Sequence, residues 1–132
     1  MILLADIRDW LKSFDLFENY YIGRLDSKKK NSLGVYNLAD EGRHEVIGRL
    51  KKYEKKGISL LVHGNSNKAE TEQKAWQLYV KLEEIAMSCI HPKIGDSNVY
   101  FIELLNNQPI DVDQDEGTVY EYVIELNIYF EK

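Results

Sequence analysis

The strongest constraint in the sequence is the alternation of side chains in TVYEYVIELNIYF, residues Thr118–Phe130. A repeat of two residues is typical of a β-strand with one face on the core and the other on solvent or a partner. The core-facing side chains are expected to be Tyr120, Tyr122, Ile124, Leu126, Ile128 and Phe130. The opposite face carries Glu121, Glu125 and Asn127, with Val123 and Tyr129 as its apolar exceptions.

A second pattern predicts a long amphipathic helix in NSNKAETEQKAWQLYVKLEEIAMSCI. Asn67 is favoured at a helix N-cap, and Glu70 follows it at the spacing of a capping box. Pro92 ends the helix. Its apolar stripe comprises Ala75, Leu78, Tyr79, Leu82, Ala86 and Cys89, and Trp76 and Val80 flank it.

The first part of the chain predicts one helix and two strands. The helix is indicated by apolar residues at helical spacing, Leu3, Ile7, Trp10, Leu11 and Phe14. Asn19–Leu25 and Leu33–Leu38 are rich in strand-forming residues, and the polar stretch DSKKKNS separates them. We therefore expect a hairpin with a basic tip at Lys28–Lys30.

Three further segments complete the prediction. Gly57–Gly64 is a short apolar run bounded by glycines, which indicates a strand. Asn98–Leu105 is apolar at most positions, as expected for a strand covered on both faces. Residues 39–57 are interrupted by glycines and are expected to form a long irregular connection with short extended pieces.

These elements predict an α+β fold in which an N-terminal helix and one long central helix pack on a mainly antiparallel sheet. The 132 residues are expected to form a single domain, 1–132, because single cores commonly reach ~100–150 residues. A core of this size needs no disulfide or metal to remain folded.

Composition argues against several classes of function. The net charge of −5 disfavours sequence-independent nucleic-acid binding, which depends on phosphate neutralisation by lysine and arginine. No run approaches the ~20 apolar residues of a membrane span, and the start MILLADIRDWL lacks the basic lead of a signal peptide. Cys89 is the lone cysteine, which excludes an internal disulfide and favours a reducing compartment.

The sequence offers no catalytic or metal-binding pattern. His44, His63 and His91 do not have the spacing of zinc ligands, and no nucleophile elbow or phosphate-binding loop occurs. His63 lies in phase with strand residues, so a hydrogen-bonded or surface histidine is expected there rather than a ligand. His91 precedes a proline at a helix end, where an imidazolium faces the helix dipole favourably. We expect no enzyme activity and no cofactor.

The acidic stretch DVDQDEG, residues 111–117, raises the alternative of a small ion- or ligand-binding module. A calcium loop that begins at Asp111 requires glycine at its sixth position and a bidentate glutamate at its twelfth. Glu116 and Tyr122 occupy those positions, and a strand follows instead of a helix. The stretch is therefore better interpreted as an exposed acidic turn, with ion binding kept as the alternative.

Three sequence blocks carry a resemblance to a known family: NSLGVYNL, KGISLLVHGNSNKAETEQKAWQLYVKL and QPIDVDQDEGTVYEYVIELNIYFEK. Together they resemble the minor capsid protein family of bacteriophages and prophages of Gram-positive hosts. The order of elements is also similar to that of tail-terminator, or tail-completion, proteins. This resemblance implies a hexameric ring that caps the tail tube and joins it to the head connector.

The resemblance also implies partners and a location. The partners would be other copies of the chain, the tail tube protein and the head-connector or stopper proteins, with no membrane and no direct nucleic-acid specificity. The protein would be made in the host cytoplasm and would reside in the virion at the head–tail junction. Opposite charge predicts the candidate subunit interface, which comprises Lys28, Lys29, Lys30, Asp111, Asp113, Asp115 and Glu116.

Overall fold

The computed structural model describes residues 1–23, 29–38, 53–88, 91–112 and 119–131. The described helices are α1 (Leu4–Lys12) and α2 (Lys68–Met87). The described strands are β1 (Asn19–Ile22), β2 (Ser32–Asn37), β3 (Tyr53–His63), β4 (Lys93–Ile94), β5 (Ser97–Leu104), β6 (Ile110–Val112) and β7 (Glu121–Glu131).

The strands of the described residues form one sheet in the order β1-β2-β3-β7-β5-β4, with β6 also paired to β7. Strand β7 is central, because β3 pairs along its full length on one side while β5 and β6 share the other side. Helix α1 contacts β1 and β2 as well as β4, which lies at the opposite end of the order, so the sheet must curl around the helices. The predicted α+β fold with a mainly antiparallel sheet is confirmed.

The alternation along β7 is confirmed by burial. Its inner face, which meets the helices, carries the buried side chains Tyr122, Ile124, Leu126, Ile128 and Phe130. On its outer face, Val123, Glu125, Asn127 and Tyr129 are only partly buried. Eleven register pairs with β3 extend this separation to the neighbouring strand, where Ile58, Leu60 and Val62 are buried on the same inner face.

Helix α2 begins at the predicted N-cap, Asn67, but the predicted capping box does not form, because the Asn67 backbone N–H donates to the Asn65 side-chain oxygen at 2.8 Å and not to Glu70. The Asn67 side-chain oxygen accepts a hydrogen bond from the backbone N–H of Glu70 at 3.2 Å, which satisfies one of the free donors of the first turn. Ala75, Leu78, Tyr79 and Leu82 of the predicted stripe are buried, and Ala86 packs against the core. Cys89 lies outside the described residues.

The predicted hairpin between the first two strands is wrong. Strands β1 and β2 are parallel, with Asn19 opposite Ser32 and Ile22 opposite Val35. A hairpin reverses the chain once, whereas a parallel pair needs two reversals, and residues with positive φ stand at both ends of the connection. They are Gly23 (φ 67) and Asn31 (φ 57).

The third strand begins earlier than the glycine pattern indicates. Strand β3 starts at Tyr53, and Gly57 lies within it opposite Asn127 of β7. A Cβ at Gly57 would lie 3.2 Å from the Leu38 Cβ, so this glycine permits a close approach and does not end a strand. The predicted irregular connection is therefore wrong for residues 53–57, and its remainder, 39–52, lies outside the described residues.

The prediction that β5 is covered on both faces is also wrong. Val99 and Ile102 are buried, but Tyr100 and Phe101 are 49% and 50% exposed. The register between β5 and β7 shifts between Val99 and Phe101, which is the signature of a bulge. A bulge re-aims side chains, and here two consecutive aromatic residues are left in contact with solvent.

Candidate functional site

A row of aromatic rings crosses three strands on the outer face of the sheet. Tyr129 of β7 lies between Phe101 of β5 and Tyr53 of β3, with ring centroids 5.6 Å and 6.1 Å away. Tyr53 is 39% exposed and Phe101 is half exposed. Partly exposed aromatic side chains that touch one another are characteristic of protein–protein interfaces.

Glu103 places a carboxylate beside this row. One of its oxygens accepts hydrogen bonds from the Tyr129 hydroxyl at 3.1 Å and from the Asn127 side-chain amide at 2.9 Å. Burial raises the pKa of Tyr129, and the bond to Glu103 raises it further because it favours the protonated phenol. We call Tyr53, Phe101, Glu103 and Tyr129 the aromatic–carboxylate surface.

A row of polar residues lies at the other end of the sheet. Ser32, His63 and Glu121 face one another on β2, β3 and β7. The His63 Nδ1 lies 2.7 Å from a Glu121 carboxylate oxygen, and both side chains are almost fully buried. The expectation of a hydrogen-bonded histidine is therefore confirmed.

Although serine, histidine and glutamate resemble a catalytic triad in type, Ser32 has a structural role in this row. Its hydroxyl bonds to the carbonyl oxygen of Lys29 at 2.8 Å and lies 3.4 Å from that of Lys30. The hydroxyl hydrogen is therefore directed at the backbone. A serine nucleophile would instead have to donate this hydrogen to a histidine base. The contact fixes the backbone that carries the two exposed lysines.

The predicted interface residues fall in two places, which the structure does not bring together. Lys29 and Lys30 are exposed just before β2, whereas Asp111 is exposed on β6. The Asp111 carboxylate pairs with the Lys68 ammonium of α2 at 2.9 Å, and this bond raises the pKa of Lys68. The remaining predicted residues, Lys28, Asp113, Asp115 and Glu116, lie outside the described residues, so the interface stays a prediction.

Gly64 joins the sheet to the start of α2. Its N–H donates to the Tyr120 carbonyl oxygen at 3.0 Å, and its own carbonyl accepts from the Asn31 N–H at 3.0 Å. A Cβ at this position would lie 2.2 Å from the Thr71 hydroxyl oxygen. The helix therefore fills the space above Gly64, and the position offers no side chain to another subunit.

A shallow groove of about 470 Å³ lies on the helix side of the molecule. Phe14 and Leu16, which follow α1, form one wall, while Trp76 and Val80 of α2 form the other. The Lys81 ammonium stands 5.6 Å from the centre of the Phe14 ring, as in a cation–π contact. The sequence predicts that Trp76 and Val80 flank the buried stripe, and in the structure they are 39% and 42% exposed.

Among the described residues, histidine, cysteine, aspartate and glutamate side chains form no group of three or more that could hold a metal ion. His91 approaches the Tyr100 carbonyl oxygen at 3.1 Å, so its observed contact is with β5. No described helix has the length and apolar character required to cross a membrane.

Sequence reasoning missed the aromatic–carboxylate surface as a site. The available signals were the adjacent aromatic residues Tyr100 and Phe101 and the apolar exception Tyr129 on a polar strand face. Neither signal identifies a surface alone, because the bulge and the strand order decide which rings meet.

Comparison with known proteins decides the family. The sequence matches the family model described as bacteriophage tail terminator protein over residues 3–132. The chain belongs to the bacteriophage tail terminator family. This tail terminator is therefore a phage tail assembly protein and a virion component, in a family whose members are generally structural and not enzymes.

The fold is also found in a solved structure of a protein whose designation describes no function. That structure superposes with a TM-score of 0.52 at 14% sequence identity, over 97% of this chain and 89% of the other. At this identity the likeness concerns the fold alone. The search of curated proteins found no match.

Proposed function

We propose that this tail terminator assembles into a hexameric ring that caps the tail tube and joins it to the head connector. The observation that carries the proposal is the family match, which spans residues 3–132. Three sequence blocks resemble minor capsid proteins of phages and prophages of Gram-positive hosts. We therefore propose that this protein also comes from a phage or prophage of such a host.

The arrangement of surfaces supports a ring. A closed ring of more than two subunits needs two different surfaces on each subunit, because every copy must meet both of its neighbours. The described residues form two different partly apolar surfaces of this kind: the groove at Phe14 and Trp76 on the helix side, and the aromatic–carboxylate surface on the outer face. A two-fold dimer would need only one self-complementary patch.

In this proposal the ring lies at the head–tail junction and contacts the tail tube protein on one side and a connector or stopper protein on the other. The net charge of −5 supports protein partners over non-specific nucleic-acid binding. The protein would be made in the host cytoplasm and then built into the virion.

The alternative is an ion- or ligand-binding module at residues 111–116. The structure gives one observation against it: the Lys68 ammonium already pairs with the Asp111 carboxylate at 2.9 Å. A calcium ion would have to displace this ammonium to use that oxygen. Calorimetric titration with calcium separates the two functions, because the ring proposal expects no heat of binding.

The decisive experiment combines purified, labelled protein with isolated tail tubes under the electron microscope. We expect the label at one end of each tube and a hexamer by mass in light scattering of the bound fraction. Label along the whole tube, or no binding together with tight calcium binding, would overturn the proposal. A monomer in free solution alone would not, since a ring can close on the tube.

A further inference from the structure

The aromatic–carboxylate surface has the chemistry of a site for a cationic side chain. Glu103 is held in place by Tyr129 and Asn127, so its charge is positioned before any partner arrives. No ion pair joins Glu103 to a cation anywhere in the described part of the chain. The neighbouring faces of Tyr53, Phe101 and Tyr129 offer the ring surfaces on which a lysine or arginine packs favourably.

The matching cations are at the opposite corner of the same sheet. Lys29 and Lys30 are exposed, and the Ser32 hydroxyl holds their backbone carbonyls next to β2. Their charge is not paired with a carboxylate of the described residues. They therefore form a second positioned group, of opposite sign to the first.

The two groups cannot meet within one molecule. The register places Phe101 and Tyr129 in the row of Lys55, and Ser32 in the row of His63. The eight residue steps from Lys55 to His63 span about 26 Å along the strand, at ~3.3 Å per residue. The groups also lie toward opposite edges of the sheet, since β2 and β5 are separated by β3 and β7.

We propose that the aromatic–carboxylate surface receives Lys29 and Lys30 of a second copy of this chain. The inference rests on the proposed ring function, and it assigns the second contact surface of each subunit to Lys29 and Lys30 in place of the groove at Phe14 and Trp76. Because the two groups are different and lie at opposite corners, the contact is head-to-tail and leaves one free surface of each kind for the next subunit. In this pairing the acidic partner of Lys29 and Lys30 is Glu103, and not Asp111, which already pairs with Lys68 of its own chain.

Among the described residues, Lys55 is the cation of the same chain that lies nearest in register, directly opposite Tyr129. It makes no ion pair with Glu103 at 4.0 Å or less. Lys55→Ala is therefore a useful variant: if Lys55 served as the partner of Glu103, its removal would free the surface and strengthen association. We expect Lys55→Ala to leave association within about twofold of wild type.

The test is charge reversal on each side, measured by sedimentation velocity at low salt, alone and with isolated tail tubes. Glu103→Lys and the double variant Lys29→Glu, Lys30→Glu should each weaken self-association by at least about tenfold. A mixture of the two variants should recover it, because each reversed surface then faces its complement. Glu83→Lys, an equal charge change on the exposed face of α2, is the matched control and should behave as wild type.

The outcomes separate this inference from the proposed function. Wild-type rings that both reversals leave intact would refute the contact and leave the ring proposal standing. Wild type that associates neither alone nor on tubes would refute the ring proposal itself. Recovery that stops at dimers in the mixture would refute the head-to-tail arrangement. Thermal melts of each variant identify those that lose association through unfolding.

Discussion

The two faces of the sheet are built from the same strands but differ in the burial and polarity of their side chains. On the inner face, every second side chain of β7 from Tyr122 to Phe130 is buried against the helices and neighbouring strands. On the outer face, the intervening side chains are polar or partly exposed, and Tyr129 and Asn127 both donate hydrogen bonds to Glu103. One strand therefore contributes to two surfaces with different purposes.

This difference between the two faces indicates that the inner face stabilises the folded monomer, whereas the outer face serves assembly. The inner face is closed by residues of the same chain, so its apolar area stabilises the monomer. The outer face keeps rings half exposed at Phe101 and Tyr53, an arrangement that gains stabilisation only when a partner covers it. Mutations on the two faces should consequently affect different measurements.

The largest expected effect is the loss of an inner-face side chain. Leu126→Ala should lower the free energy of unfolding by about 2–5 kcal/mol, because Leu126 is fully buried and its truncation leaves a cavity. Phe101→Ala removes a larger side chain on the outer face but should cost far less, since half of that ring is already in water. Urea unfolding of both variants tests the comparison, and equal losses would contradict it.

Gly64→Ala tests the junction where the helix layer closes over the sheet. The added Cβ would lie 2.2 Å from the Thr71 hydroxyl oxygen, so the helix start must shift. Overpacking of this kind costs about 1–3 kcal/mol. Thermal unfolding should show this loss.

The pair Gly64→Ala with Thr71→Ala should recover part of that loss, because the hydroxyl and methyl groups of Thr71 are two of the three nearest clashing atoms. Thr71→Ala alone is the control, since it also removes the hydrogen bond that the Thr71 hydroxyl donates to the Asn67 carbonyl oxygen and the one that it accepts from the Asn65 N–H. Additive losses in the double variant would show that the Cβ does not meet Thr71.

Local sequence patterns predicted the inner face well. The period of β7 and the stripe of α2 each follow from side chains that must leave water. The predicted β7 side chains from Tyr122 to Phe130 are buried, whereas Tyr120, also expected to face the core, precedes the strand and is only half-buried. The cap at Asn67 was also predictable, because it depends on residues three positions apart in sequence.

The outer face and the strand pairing were not predictable in the same way. The polar stretch after β1 fits a hairpin turn as well as a parallel connection, and the register of β1 with β2 distinguishes the two. The aromatic–carboxylate surface depends on a bulge in β5 and on three strands meeting side by side. Such contacts join residues that are far apart in the chain. Neither the composition nor the spacing of apolar residues within one segment specifies which strands become neighbours.

A subtler comparison concerns Tyr122 on the inner face and Tyr129 on the outer face. Each hydroxyl donates to a carboxylate at 3.1 Å, Glu72 in the first case and Glu103 in the second. Burial is the first cause that raises the pKa of both phenols, and the carboxylate is the second. Both groups therefore favour the protonated form in the folded protein more than in the unfolded chain.

The sign of the pH dependence follows from these raised pKa values. The stability that each phenol contributes is present below the unfolded pKa of about 10 and is lost as pH rises through the folded value. Wild type should lose stability between pH 9 and 11, and Tyr122→Phe or Tyr129→Phe should lose less over that range. Urea unfolding at both pH values is the measurement, with Tyr100→Phe as the control for an exposed tyrosine; an unchanged loss in both variants would contradict the prediction.

The smallest expected effect belongs to the ion pair between Lys68 and Asp111. Both side chains are about half exposed, so solvent and salt screen their attraction, and ordering the lysine side chain offsets much of the gain. Asp111→Asn should leave the melting temperature unchanged within error. Calcium at millimolar concentration should likewise shift the melting temperature of neither wild type nor Asp111→Asn, because the carboxylate that the described part of the acidic stretch offers is already engaged with an ammonium. A calcium-dependent rise in wild type that Asp111→Asn abolishes would restore the ion-binding alternative and give the acidic stretch a role of its own.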